Sequence, residues 1–514
     1  MKKHGLLLLI FICALTCLAQ QKYSAESKES IYPLWEFAVD DSGKILDKPL
    51  YRQLSFWGPR LFPSGDPGVA SSAMANYVNT FKHNHDRLQK SYIWSTTNPE
   101  PIWTEKGPIG KTNQSFGDGR GVGRINRITF DPGYNPPANR TLYASSEAGG
   151  IWRSENDGLN WFVCGTDNIE FPTSAIGDIA IDPTNPNIIY VVTGPSDWRH
   201  QYTKDAGSHW IRVGENPQFT MGVWKGVMNI TTPVQSSSDI VVSWTQVNNA
   251  GTNGFLNLFD DLGDGTKVGL GSANKIVVRE VGMPSKVEIW VATTKGVARN
   301  LDAENNGQWD IIFAGLNGQE DGSLRNIIFK ENSNKVFVSG RDIYEFTPNP
   351  NPNVPGTWAS LTGPGKGLDF TTPSGISPSR INITTIPGST NVNKLWAYTL
   401  DESTNMRYVH KYDGTSWTLL ASGHYPTIWV GVTQGRCDIA VNPLDETEIF
   451  VTANVVLKID NSGGFIEVSS YNGSKVHADI HALAMPVHAP NFSFKLCAWH
   501  DGRVSRATTH PSNN

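Results

Sequence analysis

Cysteine is scarce in this chain, and its positions limit the covalent cross-links that the protein can make. The sequence contains five cysteines in 514 residues, and Cys13 and Cys17 fall within an apolar segment at the N-terminus. Only Cys164, Cys437 and Cys497 remain, an odd number that cannot all pair within one chain. The fold therefore contains at most one internal disulfide.

Charge is also sparse, and the two signs nearly balance. Charged residues make up 18% of the chain, and the formal net charge is -5. This composition gives no broad electrostatic attraction to nucleic acid or to an anionic membrane, and neither partner is expected. The sequence also lacks a Gly-x-Ser-x-Gly elbow, a His-Glu-x-x-His motif and a Walker loop, which argues against protease and nucleotide chemistry.

Long apolar runs are absent after residue 20, so no integral membrane segment is predicted. The apolar run Leu6–Leu18 follows a basic Lys-Lys-His start and is too short to span a bilayer. These features predict a signal peptide over residues 1–19, with cleavage after Ala19. A lipoprotein bearing its lipid on Cys17 is the less favoured alternative. The protein is therefore expected to be secreted or to lie at the cell surface.

Glycine, proline and tryptophan are plentiful, and they indicate the fold class. The chain contains 49 Gly, 31 Pro and 17 Trp, a composition typical of many short strands joined by tight turns. A pattern of β-rich runs recurs along the chain, most clearly in Ile125–Pro132 and Ile176–Pro183. Its copies begin near Ile125, Ile176, Lys225, Lys275, Arg325, Ile381, Cys437 and Asp479. The spacing of roughly 40 to 60 residues predicts four strands per repeat, as in a propeller blade.

Turns of the form Ser/Thr-x-Asp-x-Gly-x-x-Trp recur in phase with these repeats. Thr203–Trp210 matches the pattern fully, and Ser154–Trp161 matches with Asn156 in place of Asp. Such Asp-box turns are structural: the side-chain oxygen accepts backbone N–H bonds, Gly takes a positive φ, and Trp packs between neighbouring blades. Degenerate copies stand at Asn306–Trp309, Tyr412–Trp417 and Asp460–Phe465.

The two ends of the repeat region are expected to complete one another. Pro101–Gly107 resembles the last strand of a blade without earlier strands, and His477–Thr509 supplies about three strands. The sequence thus predicts an all-β fold, a single propeller over residues 101–514, with eight blades counted and seven as the alternative. Residues 20–100 are expected to form an irregular, partly helical extension.

Three segments resemble a known family. Gly123–Asn126, Tyr143–Ser154 and Asp182–Pro186 look like the sortilin-type, Asp-box (BNR-repeat) β-propellers of bacterial secreted proteins. The likeness spans residues 101 to 508 and extends distantly to the xyloglucan-cleaving glycanases. Because relatives of this architecture include binding proteins and enzymes, the resemblance implies the fold and leaves the activity open.

Charged residues cluster where the first strand of each repeat begins. The candidate ligand-binding residues are Arg124, Asp178, Arg325, Arg436, Asp438, His477 and His481. His477, Asp479 and His481 alternate along one strand and are ligand types that suit zinc. Three such close positions on one strand rarely reach good metal geometry, so no metal and no cofactor is predicted.

A glycosidase would need two carboxyl groups on either side of the scissile bond. The resemblance to glycanases implies Glu147 as one catalytic acid, with Asp479 as its partner across the channel. Glu147 stands where those relatives have Asp, which would displace the carboxyl group by about 1.5 Å.

The primary prediction is therefore a binding module for an extracellular protein or polysaccharide, and the alternative is a glycoside hydrolase. Aromatic rings stack on sugars and anchor peptides. Candidates for such contacts, all outside the Asp boxes, are Trp198, Trp224, Trp244 and Trp429.

Overall fold

The computed structural model describes the chain in segments between residues 102 and 508. These are 102–105, 125–146, 149–167, 171, 173–194, 201–204, 210–213, 220, 222–247, 255, 273–282, 286–293, 296–305, 307–313, 324–330, 333–340, 342–349, 356–370, 380–386, 394–401, 406–424, 437–453, 455–469, 480, 482–486, 495–500 and 503–508. The predicted signal peptide (1–19) and extension (20–100) lie outside these segments. The described residues are all-β, apart from one short 3-10 helix, Ser237–Asp239. They contain no helix long and apolar enough to cross a membrane.

The chain divides into two compact units, and one of them holds all the four-stranded sheets. That unit comprises Asn84–Asp167, Ser174–Trp198 and Gln218–Asn514. The other comprises Met1–His83, Asn168–Thr173 and Arg199–Pro217, and its described strands form one antiparallel hairpin.

The strands are numbered here in chain order. The first fifteen are β1 (Ile102–Glu105), β2 (Ile125–Phe130), β3 (Leu142–Ser146), β4 (Gly150–Ser154), β5 (Phe162–Val163), β6 (Ile176–Ile181), β7 (Ile188–Thr193), the hairpin strands β8 (Gln201–Lys204) and β9 (Trp210–Val213), β10 (Val223–Ile230), β11 (Ile240–Gln246), β12 (Ala273–Val281), β13 (Lys286–Thr293), β14 (Gly296–Asn300) and β15 (Trp309–Phe313). Then follow β16 (Asn326–Phe329), β17 (Val336–Ser339), β18 (Ile343–Thr347), β19 (Thr357–Ser360), β20 (Arg380–Thr384), β21 (Leu395–Asp401), β22 (Met406–Tyr412), β23 (Trp417–His424), β24 (Ile439–Asn442), β25 (Asp445–Thr452), β26 (Val456–Ile459), β27 (Phe465–Glu467), β28 (Ala482–Ala484), β29 (Lys495–His500) and β30 (Arg503–Thr508).

The described strands of the larger unit form seven antiparallel sheets of four strands each. Sheets 1 to 7 are β2–β5, then β6, β7, β10 and β11, then β12–β15, β16–β19, β20–β23, β24–β27, and finally β28, β29, β30 and β1. In sheet 7 the first described strand of the chain, β1, pairs with the last, β30, and Ile102 lies opposite Thr508.

Sheet 2 corrects one of the expected repeat starts. The repeat pattern predicts a blade start near Lys225, but β10 pairs with β7, and Val223 lies opposite Val192. β10 and β11 are therefore the last two strands of sheet 2. The 3-10 turn at Ser237–Asp239 follows β10, in contrast to the Asp-Pro turns after β2 and β6.

The second strand of each of several sheets is buried on both faces, which explains its composition. All five residues of β3 and all seven of β21 are buried. A strand covered by neighbouring sheets on both faces loses the polar alternation of a half-exposed strand and becomes a continuous apolar run. One core cluster joins Val192 of sheet 2 to Ile289 of sheet 3, and another joins Tyr398 of sheet 5 to Val451 of sheet 6.

Tryptophans on outer strands connect consecutive sheets through their indole N–H groups. The four bonds run from Trp244 to the Gly165 carbonyl (2.9 Å), Trp309 to Val247 (3.0 Å), Trp358 to Ile312 (3.0 Å) and Trp417 to Leu361 (3.0 Å). Each donor belongs to one sheet, and each acceptor lies in, or directly after, the outer strand of the preceding sheet. Because buried indole N–H groups need a partner, these bonds set the position of one sheet against the next.

The turn Ser154–Trp161, between β4 and β5, is closed by side-chain acceptors. Ser154 Oγ accepts from the Gly158 N–H (2.8 Å), and Asn156 Oδ1 accepts from the Asn160 N–H (2.8 Å). Gly158 has a φ of 80°, which glycine adopts without strain. The full pattern match, Thr203–Trp210, connects β8 to β9, and its residues 205–209 lie outside the described segments.

Candidate functional site

The first strands of sheets 1, 2 and 3 begin with a β-bulge that directs the next side chain. The pairing register shifts between Ile125 and Arg127, between Ile176 and Asp178, and between Ala273 and Lys275. A bulge inserts one unpaired residue and re-aims the strand. In sheet 2 that residue is Gly177, where a Cβ would lie only 3.0 Å from the Ala273 carbonyl of sheet 3. The glycine thus permits close approach of two sheets.

Equivalent positions in six sheets carry a polar or charged residue, and we name this set the inner belt. Each member directly precedes an isoleucine that pairs with the second strand of its sheet. The belt comprises Arg127, Asp178, Lys275, Asn326, Asn382 and Asp438. In sheet 7, Ala482 holds the corresponding place before Leu483.

Belt side chains bind the backbone of the following sheet. Asp178 Oδ2 accepts from the Ile276 N–H (3.0 Å), and Asp438 Oδ2 accepts from the Leu483 N–H (2.9 Å). Asn382 donates from Nδ2 to the Cys437 carbonyl (2.8 Å). Two bulge residues make similar bonds: Asn126 donates to the Ile176 carbonyl (2.7 Å), and Asn274 donates to the Leu324 carbonyl (2.5 Å). The belt residue Asn326 donates to the Ile383 carbonyl (2.6 Å). One side-chain bond therefore leads from each of sheets 1 to 6 to the next.

Four belt residues form a charge cluster with two positive and two negative members. An Arg127 nitrogen lies 3.6 Å from Asp438 Oδ2, and both side chains are mostly buried. Arg127 also interacts electrostatically with Asp178 and Lys275, and Lys275 interacts with both carboxylates. Since these residues belong to sheets 1, 2, 3 and 6, the four side chains converge on one region.

Burial has the largest effect on the pKa values of Asp178, Asp438 and Lys275 in this cluster. It raises the pKa of Asp178 and of Asp438, and the nearby Arg127 and Lys275 offset only part of that rise. Burial also lowers the pKa of Lys275; Arg127 lowers it further, while the two carboxylates act in the opposite direction. The cluster is neutral as a whole when all four groups are ionised.

Lys275 differs from the other three charged members. Arg127 and the carboxylates have bonded partners, whereas the Lys275 ammonium makes no hydrogen bond or ion pair with any residue in the described segments. Beside it in the belt, Asn326 is 3% exposed, and its Oδ1 has no hydrogen-bond partner. Among the described residues, the belt thus contains an ammonium without a hydrogen-bond partner, on Lys275, and a buried amide oxygen without one, on Asn326.

The structure brings together two of the residues predicted from sequence. Asp178 and Asp438 both belong to the inner belt. Arg325, directly before belt residue Asn326, is half-buried, and its backbone N–H donates to the Ser339 carbonyl (2.7 Å). The remaining predicted residues, Arg124, Glu147, Arg436, His477, Asp479 and His481, lie outside the described segments. No cluster of three or more metal-ligating side chains occurs within those segments.

Sequence reasoning missed Arg127 and Lys275. Each follows a bulge residue and precedes an isoleucine, as Asp178 does, so aligning the repeats on that isoleucine would have found both. Among the tryptophans proposed as ligand contacts, Trp244 is buried and bonded to sheet 1, while Trp224 is half-buried. Trp198 and Trp429 lie outside the described segments.

Comparisons with known proteins indicate similarity to solved structures alone. No known family profile matches the chain, and no curated protein matches it. Similar structures include the GH74 xyloglucanase of Xanthomonas campestris (13% identity, TM-score 0.37, 78% of this chain and 60% of that one) and a Niastella koreensis GH74 enzyme (14%, 0.36, 76% and 59%). Another is YCF48 bound to D1 peptide (12%, 0.40, 76% and 95%). The chain thus spans about 60% of the length of the two GH74 structures, and its function must be argued from its own residues.

Proposed function

We propose that the larger unit is a seven-bladed β-propeller that serves as an extracellular binding module for a protein or a polysaccharide. The first strands contact one another in chain order, from β2 through β6, β12, β16, β20 and β24 to β28, and β28 also contacts β2. Arg127 of sheet 1 pairs with Asp438 of sheet 6, which a ring brings within reach. The pairing of β1 with β30 further supports a ring in which the chain ends share one blade.

The Asp-box assignment of the turns is part of this proposal. In two further turns an aspartate accepts neighbouring backbone N–H groups, as the motif requires. Asp413 Oδ1 accepts from Ser416 (2.9 Å), and Asp460 Oδ1 accepts from Gly464 (2.8 Å). These bonds support the turns as recurring structural elements of the blades.

The observation that favours binding over hydrolysis is how the belt carboxylates are used. Asp178 and Asp438 each accept a backbone N–H from the following sheet, so their oxygens join blades together. A glycosidase requires two carboxyl groups free to approach a glycosidic bond. The two belt carboxylates therefore fit a structural role better than a catalytic one, and the glycoside hydrolase involving Glu147 and Asp479 remains the alternative.

The test uses secreted protein purified from the culture medium and a panel of plant and bacterial polysaccharides and cell-surface proteins. We expect retention of one polysaccharide or surface protein in a pull-down, without release of reducing ends. Release of reducing ends that both Glu147→Gln and Asp479→Asn abolish would instead establish the hydrolase. The absence of secreted protein from the medium would contradict the extracellular placement.

A further inference from the structure

Asp438, the belt residue of sheet 6, contacts three sheets other than its own. Its Oδ1 accepts from Asn382 Nδ2 of sheet 5 (2.6 Å), and its Oδ2 accepts from the Leu483 N–H of sheet 7 (2.9 Å). An Arg127 nitrogen of sheet 1 lies 3.6 Å from the same Oδ2. One carboxylate therefore joins sheet 6 to sheets 5, 7 and 1.

Sheet 7 depends on such a contact because its own belt position is apolar. The side chain of Ala482 cannot make the hydrogen bond by which each of sheets 1 to 6 holds the next sheet. The first strand of sheet 7, β28, pairs with β29 over only three residues. Arg127 of sheet 1 instead pairs with Asp438 of sheet 6, so that this ion pair spans the sheet between them.

The chain itself restrains sheet 7 less than it restrains the other sheets. Each of sheets 1 to 6 consists of strands that follow one another along the chain, and the chain then continues into the next sheet. Sheet 7 is linked along the chain to sheet 1 through β1, and β1 is joined to the rest of sheet 7 only by its four residue pairs with β30. The side-chain contacts of Asp438 therefore carry more of the attachment here than at other junctions.

We propose that the ring opens locally at sheet 7 and that Asp438 is the residue that keeps it closed. In the open state, Leu483 and Arg127 leave the Asp438 carboxylate, and the strands of sheet 7 separate from sheets 6 and 1 as one unit. Local opening in proteins involves such contiguous structural units, whose stability is lower than that of the whole molecule. The inference rests on the proposed ring of sheets and is independent of what the protein binds.

The experiment is native-state hydrogen exchange of the full chain, followed by peptide mass spectrometry. In the wild type, the amides of β1, β28, β29 and β30 should exchange together and faster than those of the buried strands β13 and β21. Asp438→Asn keeps the size of the side chain but removes the charge that Arg127 pairs with, so exchange in sheet 7 should become about tenfold or more faster. Asp178→Asn is the matched control, because Asp178 also accepts an N–H of the following sheet, from Ile276 (3.0 Å). It should leave sheet 7 as in the wild type.

Thermal unfolding of each variant verifies that it is folded before its exchange is interpreted. The inference is overturned if Asp438→Asn does not accelerate exchange in sheet 7, or if Asp178→Asn accelerates it equally. Should Asp438→Asn fail to fold, the wild type decides: exchange in sheet 7 as slow as in β13 and β21 would overturn the inference. A negative pull-down would contradict the binding role and leave local opening intact, whereas slow exchange in sheet 7 would leave the binding role intact.

Discussion

His410 should make the stability of this protein sensitive to acid. It lies on β22, is 3% exposed, and its Nδ1 has no hydrogen-bond partner. Burial lowers its pKa from 6.5 to about 4. The folded state therefore resists protonation at a pH where the unfolded chain accepts a proton, and stability is lost as the pH falls from about 6.5 towards 4.

The size of this effect follows from the difference in pKa between the two states. Each tenfold difference in proton affinity is worth about 1.4 kcal/mol, so the loss reaches about 2 kcal/mol at pH 5 and about 3 kcal/mol at pH 4. The assay is urea unfolding of the wild type and of His410→Leu across this pH range. Between pH 6.5 and 4 the free energy of unfolding should fall for both proteins. We expect the fall to be about 3 kcal/mol smaller for the variant than for the wild type.

A matched control separates His410 from general acid effects. His424, on the adjacent strand β23, is exposed, so His424→Gln should follow the wild-type profile. Equal slopes for the wild type and His410→Leu between about pH 6.5 and 4 would refute the argument that burial keeps His410 neutral.

Three further results are expected. Gly367→Ala should destabilise the protein by at least about 2 kcal/mol more than Gly365→Ala in thermal or urea unfolding. Both glycines have a positive φ (81° and 78°), but only at Gly367 would an added Cβ meet a backbone oxygen, at 2.0 Å. Equal losses would contradict this. Arg127→Met should cost about 3–5 kcal/mol at neutral pH by removing the ion-pair partner of Asp438, and less in the double variant with Asp438→Asn; additive losses would disprove the coupling. Cys164 is fully buried, and burial raises its pKa to about 12, so thiol reagents followed by peptide mass spectrometry should label it only after unfolding; rapid labelling of folded protein would contradict its burial.

Short apolar runs bounded by turn residues in the sequence predicted the strands well. Runs such as Ile188–Val192 and Leu395–Tyr398 are continuous and apolar because neighbouring sheets cover both of their faces. The all-β class and the four-stranded sheets followed from such runs and from the turns between them. Which strands share a sheet is harder to predict from sequence. β10 is as apolar as a first strand, and only its pairing register with β7 assigns it to sheet 2.

The candidate site was predictable only in part. Asp178 and Asp438 were found because charge at the start of a strand is unusual. Arg127, Asp178 and Lys275 each follow a one-residue bulge, which shifts the face on which the side chain lies, so alternation along the sequence does not show that these three residues share one region. The bonds from the belt to the following sheet join residues about 50 to 100 positions apart, a separation beyond the reach of local patterns.

The pairing of β1 with β30 has a consequence for how the protein is made. During synthesis the N-terminal strand of sheet 7 emerges first, and its hydrogen-bonding partner emerges roughly 400 residues later. Until then β1 has an unpaired edge that another chain could capture. A chaperone that shields this segment, or folding delayed until synthesis is complete, would protect the nascent chain from aggregation.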